Sequence, residues 1–128
     1  MNPETDRTWR LGVLVAVFVG GCAGGLARHV VVSAWPDSGF PWTVLAVNCS
    51  GAFALGLLIP LVRDSLLRAL LGTGLLGAWT TFSAIVVSAT ELIGPRPATA
   101  AAYLVASAVG GVLAVVLGLA LGRRVASS

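Results

Sequence analysis

Charged residues divide this 128-residue chain into four apolar runs, each about the length that crosses a lipid bilayer, and no other feature restricts its fold as much. A hydrocarbon core of about 30 Å needs about 20 mostly apolar helical residues. The first run extends from Leu11 to about Ala34, the second from about Thr43 to Val62, the third from about Ala69 to Leu92 and the fourth from about Ala98 to Leu121. Lipid provides no partner for a bare N–H or C=O, so runs of this length are helices; barrel strands are shorter and alternate. The expected fold class is an all-α integral membrane protein with four transmembrane helices in one domain, residues 1–128. Composition agrees: 57% of residues are hydrophobic and 10% charged, outside the range of soluble domains.

The eight basic residues are all Arg and are scattered singly or in pairs between the apolar runs. No basic face grips phosphates, so a net charge of +3 does not indicate a nucleic-acid partner. Four helices put Arg7, Arg10, Arg63, Arg68, Arg123 and Arg124 on one side, against Arg96 and, near its edge, Arg28 on the other. This bias predicts that both termini are cytoplasmic in a multi-pass protein of a bacterial cell membrane. Arg7, Arg10 and the run ending in Gly20-Gly21-Cys22 imitate a lipoprotein leader, but the Leu that opens such a cleavage box is missing. Cys22 and Cys49 lie inside apolar runs without metal-ligand or redox spacing, so neither a disulfide nor a metal site is read from them.

In the fourth run Ala102, Ala106, Gly110, Ala114, Gly118 and Gly122 recur every fourth residue, and Gly20–Gly24 and Gly21–Gly25 repeat the spacing in the first. Such a strip lets another backbone approach closely, within the chain or across a dimer interface; Gly110, Ala114 and Gly118 stand for either.

Polar groups at bilayer depth are functional candidates because each needs a partner. The densest cluster, Trp79-Thr80-Thr81-Phe82-Ser83, falls in the middle of the third run, preceded by Gly72, Gly74 and Gly77. It predicts a third helix broken near the midplane, with freed backbone groups facing protein or a cavity; otherwise the hydroxyls bond back one turn. Asn48 carries two donors into the second run, as a site residue or as interhelical glue, the commoner role of a membrane Asn. Arg28, about two turns from the end of the first run, either snorkels, the commoner outcome, or supplies a fixed charge; His29 belongs at the same interface. Tyr103 and Ser107 put two hydroxyls one turn apart, unless Tyr103 is only an interfacial anchor. No carboxylate lies deep in the first two runs, no metal-ligand cluster exists, and no nucleophile and base can be paired at membrane depth. That argues against an enzyme and against a proton-coupled antiporter of the small multidrug-resistance type. Donors, positive ring edges and one Arg suit a small anion.

Three motifs, Gly20-Gly21-Cys22-Ala23-Gly24-Gly25-Leu26-Ala27-Arg28, Val47-Asn48-Cys49-Ser50-Gly51-Ala52-Phe53 and Gly77-Ala78-Trp79-Thr80-Thr81-Phe82-Ser83, together resemble the CrcB/Fluc family of bacterial fluoride channels. The resemblance covers nearly the whole chain. It implies an antiparallel dimer of four-helix subunits with two narrow pores along the interface, through which fluoride leaves the cell passively. It further implies that Asn48 is the pore amide and Phe82 a pore ring, with Thr81, Ser83, Tyr103 and Ser107 as donors and Arg28 as a charge at the pore entrance. By the same resemblance the carbonyls of Gly77 and Thr80 help to hold a structural sodium ion. This chain departs from the family pattern after Ser83: Ala84 and Ile85 stand where it has Thr-Phe, and Ser88 where it has Glu. Ile has no quadrupole with a positive edge. A homodimer would therefore carry two defective pores, and the lopsided Arg count favours one half of a heterodimer whose oppositely oriented homologue supplies the ring and the Glu. A non-conducting accessory subunit is the reading those departures otherwise suggest.

Overall fold

The computed structural model describes residues 3–127, all helix and connecting loop, with no strand among them. Helix α1 spans Pro3–Ala34 and α2 spans Trp42–Leu61. The third membrane segment is assembled from α3 (Ser65–Arg68), a π-helical stretch π1 (Ala69–Leu76), a short α4 (Gly77–Trp79) and, after a break, α5 (Phe82–Ile93). Helix α6 spans Pro97–Ala126. Four stretches are long and apolar enough to cross a membrane: Asp6–Ala34, Trp42–Leu61, Ser65–Ile93 and Pro97–Ala126. The first helix starts before Leu11 and the last continues through Arg123 and Arg124, because leaving the hydrocarbon removes the apolar requirement but not the i→i−4 bonding. Arg123 and Arg124 sit in the last turn, where positive charge suits the helix dipole.

Helix ends are satisfied by nearby side chains. The Asp37 carboxylate accepts from Thr43 N at 3.0 Å and from Thr43 Oγ1 at 2.9 Å, and so caps α2 from across the loop. Asp64 caps α3 through Leu67 N at 2.7 Å. Gly39, at φ +101°, takes the left-handed conformation this loop needs.

Two packing pairs dominate, α2 with α6 and α1 with π1, while α5 lies against α6. The small-residue strip of α6 is thereby assigned. A Cβ on Gly118 would collide with the Phe53 carbonyl oxygen and one on Gly122 would come within 2.8 Å of that of Leu57, so the C-terminal end of the strip seats α6 on α2 within one chain. Gly110, at the same spacing, faces Cys49 Sγ on α2. In the other pair a Cβ on Gly20 or Gly24 would strike the Leu70 or Leu75 carbonyl oxygen of π1, and one on Gly74 would lie 2.8 Å from Val17 O. The third segment therefore packs its first half on α1 and its second half on α6, and its break lies where it changes partner.

Candidate functional site

The break begins where Thr80 turns to ψ 156° and Thr81 to φ −151°, ψ 119°, both outside the helical region. Two extended residues in mid-segment release the carbonyls and N–H groups that continuous helix would pair, and side chains from three elements take them up. From α1, Arg28 Nη1 donates to the Thr80 carbonyl at 3.2 Å. From α2, Asn48 Oδ1 accepts from Thr81 N at 2.7 Å while Nδ2 donates to Thr81 O at 3.1 Å and to Val44 O at 3.1 Å. Within the segment, Thr81 Oγ1 caps α5 by accepting from Ala84 N at 3.2 Å, and lies 3.2 Å from Ser83 Oγ. Thr80 Oγ1 bonds back to Leu76 O at 3.1 Å, the local bond expected of an isolated membrane hydroxyl. Gly51 makes room for this arrangement: its Cβ would collide with the Thr80 methyl and sit 2.9 Å from the Trp79 ring, whose Nε1 donates to Ser50 Oγ at 3.0 Å.

The Arg28 guanidinium reaches the break, where a freed carbonyl attracts a charged donor. Asn48 ties α2 to the break, with both amide hydrogens engaged inside the chain. The Phe82 ring is 79% exposed on the outside of this single chain. An open-sided cavity of about 380 Å³ runs beside the break, and its lining includes Arg28, His29, Thr81, Ser83 and Val87. The first N–H groups of α5, at Phe82 and Ser83, have no partner among the described residues and point to this end of the helix.

Tyr103 and Ser107 lie away from the break. Tyr103 is fully buried, so it is not an interfacial anchor, and its ring meets Phe40 edge-on with centroids 5.5 Å apart. The Tyr103 hydroxyl and Ser107 Oγ are buried without a hydrogen-bond partner among the described residues. Ser88 approaches the Tyr103 hydroxyl from α5 without closing such a bond, and it also lines a cavity of about 180 Å³ with Asp37 and Glu91. Sequence reasoning registered Ser88 only as a departure and gave Ser50 and Gly51 no role; nothing in local spacing shows that they meet Tyr103, Trp79 and Thr80.

The family resemblance implies sodium at the Gly77 and Thr80 carbonyls. The Thr81 N–H that helix geometry would give to Gly77 O goes to Asn48, and Gly77 O receives only a 3.5 Å contact from Thr80 Oγ1. Two freed carbonyl oxygens are the donor type a hard monovalent cation takes. Thr80 O shares one lone pair with Arg28, leaving the other.

Four helices long and apolar enough to span, the third broken at Thr80–Thr81, define a multi-pass membrane protein. The family described as "CrcB-like protein, Camphor Resistance (CrcB)" matches residues 15–119, and the chain belongs to that family. The chain is similar to "Fluoride-specific ion channel FluC 1" of Cutibacterium acnes (40% identity; 81% of this chain and 81% of the relative). It is also similar to "Fluoride-specific ion channel FluC" of Chelativorans sp. (39%; 88% and 97%) and to "Fluoride-specific ion channel FluC 1" of Mycobacterium bovis (45%; 88% and 91%).

Proposed function

We propose that this chain is one subunit of a fluoride-selective channel that exports fluoride passively. The observation that carries the reading is the break at Thr80–Thr81. It presents the N-terminus of α5, with Phe82 and Ser83 N–H groups that have no partner among the described residues, the Thr81 and Ser83 hydroxyls and the Arg28 charge beside one open-sided cavity. A helix N-terminus favours an anion through its dipole and unpaired donors. Fluoride surrenders hydration only to close donors, and a narrow path lined by them admits it over larger halides. An inside-negative potential drives an anion outward by about 2.3 kcal/mol per 100 mV.

One chain leaves the path open on one side, with Phe82 facing outward. A second, oppositely oriented homologous subunit closes it, so that Phe82 turns its positive edge to the ion and Thr81, Ser83, Tyr103 and Ser107 line the polar route. Asn48 belongs to this site through Thr81. A sodium ion on the dimer axis, held by the Gly77 and Thr80 carbonyls of each subunit, would supply the charge that balances those carbonyls. The partner is a different chain: Ile85 and Ser88 lack the ring and the acid, and two of the three relatives are numbered FluC 1, a label that implies further such chains in those bacteria. Both termini face the cytoplasm of a bacterial cell, as the Arg bias indicates.

The test is fluoride efflux from liposomes containing this chain alone and then this chain with a homologue from the same genome. Efflux only from the mixture supports the heterodimer, efflux from the chain alone supports a homodimer, and none from either leaves a non-conducting accessory subunit.

A further inference from the structure

Resting on the fluoride-channel reading, we infer that His29 is a second, titratable cation in the wall of the cavity beside the break, so that acidity strengthens the pull on a passing fluoride. Arg28 and His29 are neighbours on α1, and both line the cavity of about 380 Å³ together with Thr81, Ser83 and Val87. Arg28 gives its guanidinium to the Thr80 carbonyl at 3.2 Å. His29 is exposed and makes no hydrogen bond or ion pair among the described residues. A histidine facing hydrocarbon stays neutral, because desolvation penalises the charged form. One facing an open, polar cavity takes up its proton between about pH 5 and 8.

The surroundings do not cancel that charge. Among the described residues no carboxylate lines the cavity. Of the elements packed against α1, the helices α2, π1 and α4 carry no charged side chain, and α3, with Arg68, meets α1 back at Gly12. Glu91 lies one turn beyond Val87 on α5 but lines the separate cavity with Asp37 and Ser88. Asp37 is held by Thr43, and the Arg96 guanidinium lies against Gly39. Of the remaining titratable groups, Cys22 is two turns back on α1, Cys49 Sγ faces Gly110 and the Tyr103 ring meets Phe40. An anion in this cavity therefore meets one positive charge when the imidazole is neutral and two when it is protonated, and a like-charged wall raises the local concentration of counter-ion. Arg28 opposes the second charge, and an anion in the cavity relieves that opposition, which couples fluoride to the proton.

His29 is the only histidine, so the full chain labelled with ¹⁵N-histidine gives a single imidazole in nanodiscs. At about pH 6.5, where an imidazole is partly charged, it is titrated with sodium fluoride while sodium gluconate keeps the ionic strength constant. A proton that draws fluoride is itself drawn by fluoride, so the signal is expected to move saturably toward the imidazolium position. Efflux is read from liposomes holding this chain alone or with its homologue, at equal pH on both sides, and protein-free liposomes correct for leakage of neutral hydrogen fluoride. It is expected to rise about threefold from about pH 7.5 to 5.5, the effect of one unit charge acting through water over several ångströms. His29→Gln is expected to hold the lower value throughout, His29→Arg the higher, and Glu91→Gln to keep the rise. An imidazole that stays neutral at about pH 5, or that ignores fluoride, overturns the inference. So does a rise that survives in His29→Gln or is lost in Glu91→Gln. A fluoride-responsive imidazole with no efflux from either preparation at any pH removes the channel reading and leaves the charged cavity wall standing.

Discussion

At the residue scale, the break is held by two polar side chains that reach it from opposite helices. Removing the one from α1 has a measurable consequence: Arg28→Leu leaves Thr80 O without its donor, and an unpaired buried polar group costs about 1–3 kcal/mol. Thermal unfolding in detergent is expected to show a lowered midpoint for Arg28→Leu and a smaller drop for Arg28→Lys, which keeps a donor without the planar fork. The exposed ring at residue 82 gives a second prediction. Phe82→Ile removes the positive edge at similar apolar bulk, and fluoride efflux is expected to fall about tenfold or more while elution as a single species is retained.

At the scale of elements, glycines determine which helices meet. Gly118→Val on α6 drives methyl groups into the Phe53 carbonyl of α2, and Gly20→Val does the same to Leu70 of π1. Overpacking of this kind costs about 1–3 kcal/mol or more, so both variants are expected to unfold at lower temperature or to aggregate on size exclusion. Gly111→Ala, with nothing within 4 Å of its added Cβ, is the control and is expected to change stability by less than about 1 kcal/mol. The four-residue spacing on α6 was legible as a close-packing strip, yet its partner was not. That strip reads the same against another subunit as against α2, and only the placement of Gly56 and Phe53 on α2 settles it.

At the scale of the whole molecule, the cavity beside the break is open-sided and Phe82 faces outward, which is where the proposed second subunit would sit. If the missing second ring is what limits a homodimer, Ile85→Phe should raise efflux from liposomes containing this chain alone about tenfold or more, and should add little when the homologue is present. A flux unchanged by Ile85→Phe in either setting would show that residue 85 does not face the ion. For orientation, a C-terminal reporter that fluoresces only in the cytoplasm is expected to be bright.

The sequence by itself determined the membrane class and the four spanning segments, because hydrophobic run length and the intolerance of lipid for unpaired groups act locally along the chain. It also marked Trp79 to Ser83 as the place where the third helix gives way. The tertiary structure alone decided what holds that place. Arg28 and Thr80 are 52 residues apart, Asn48 and Thr81 33, and no periodicity reports which of two faces each helix turns toward the other. The reach of Arg28 to the break, the double bond of Asn48 to Thr81 and the approach of Ser88 to Tyr103 follow from helix packing, which glycine contacts distant in sequence direct.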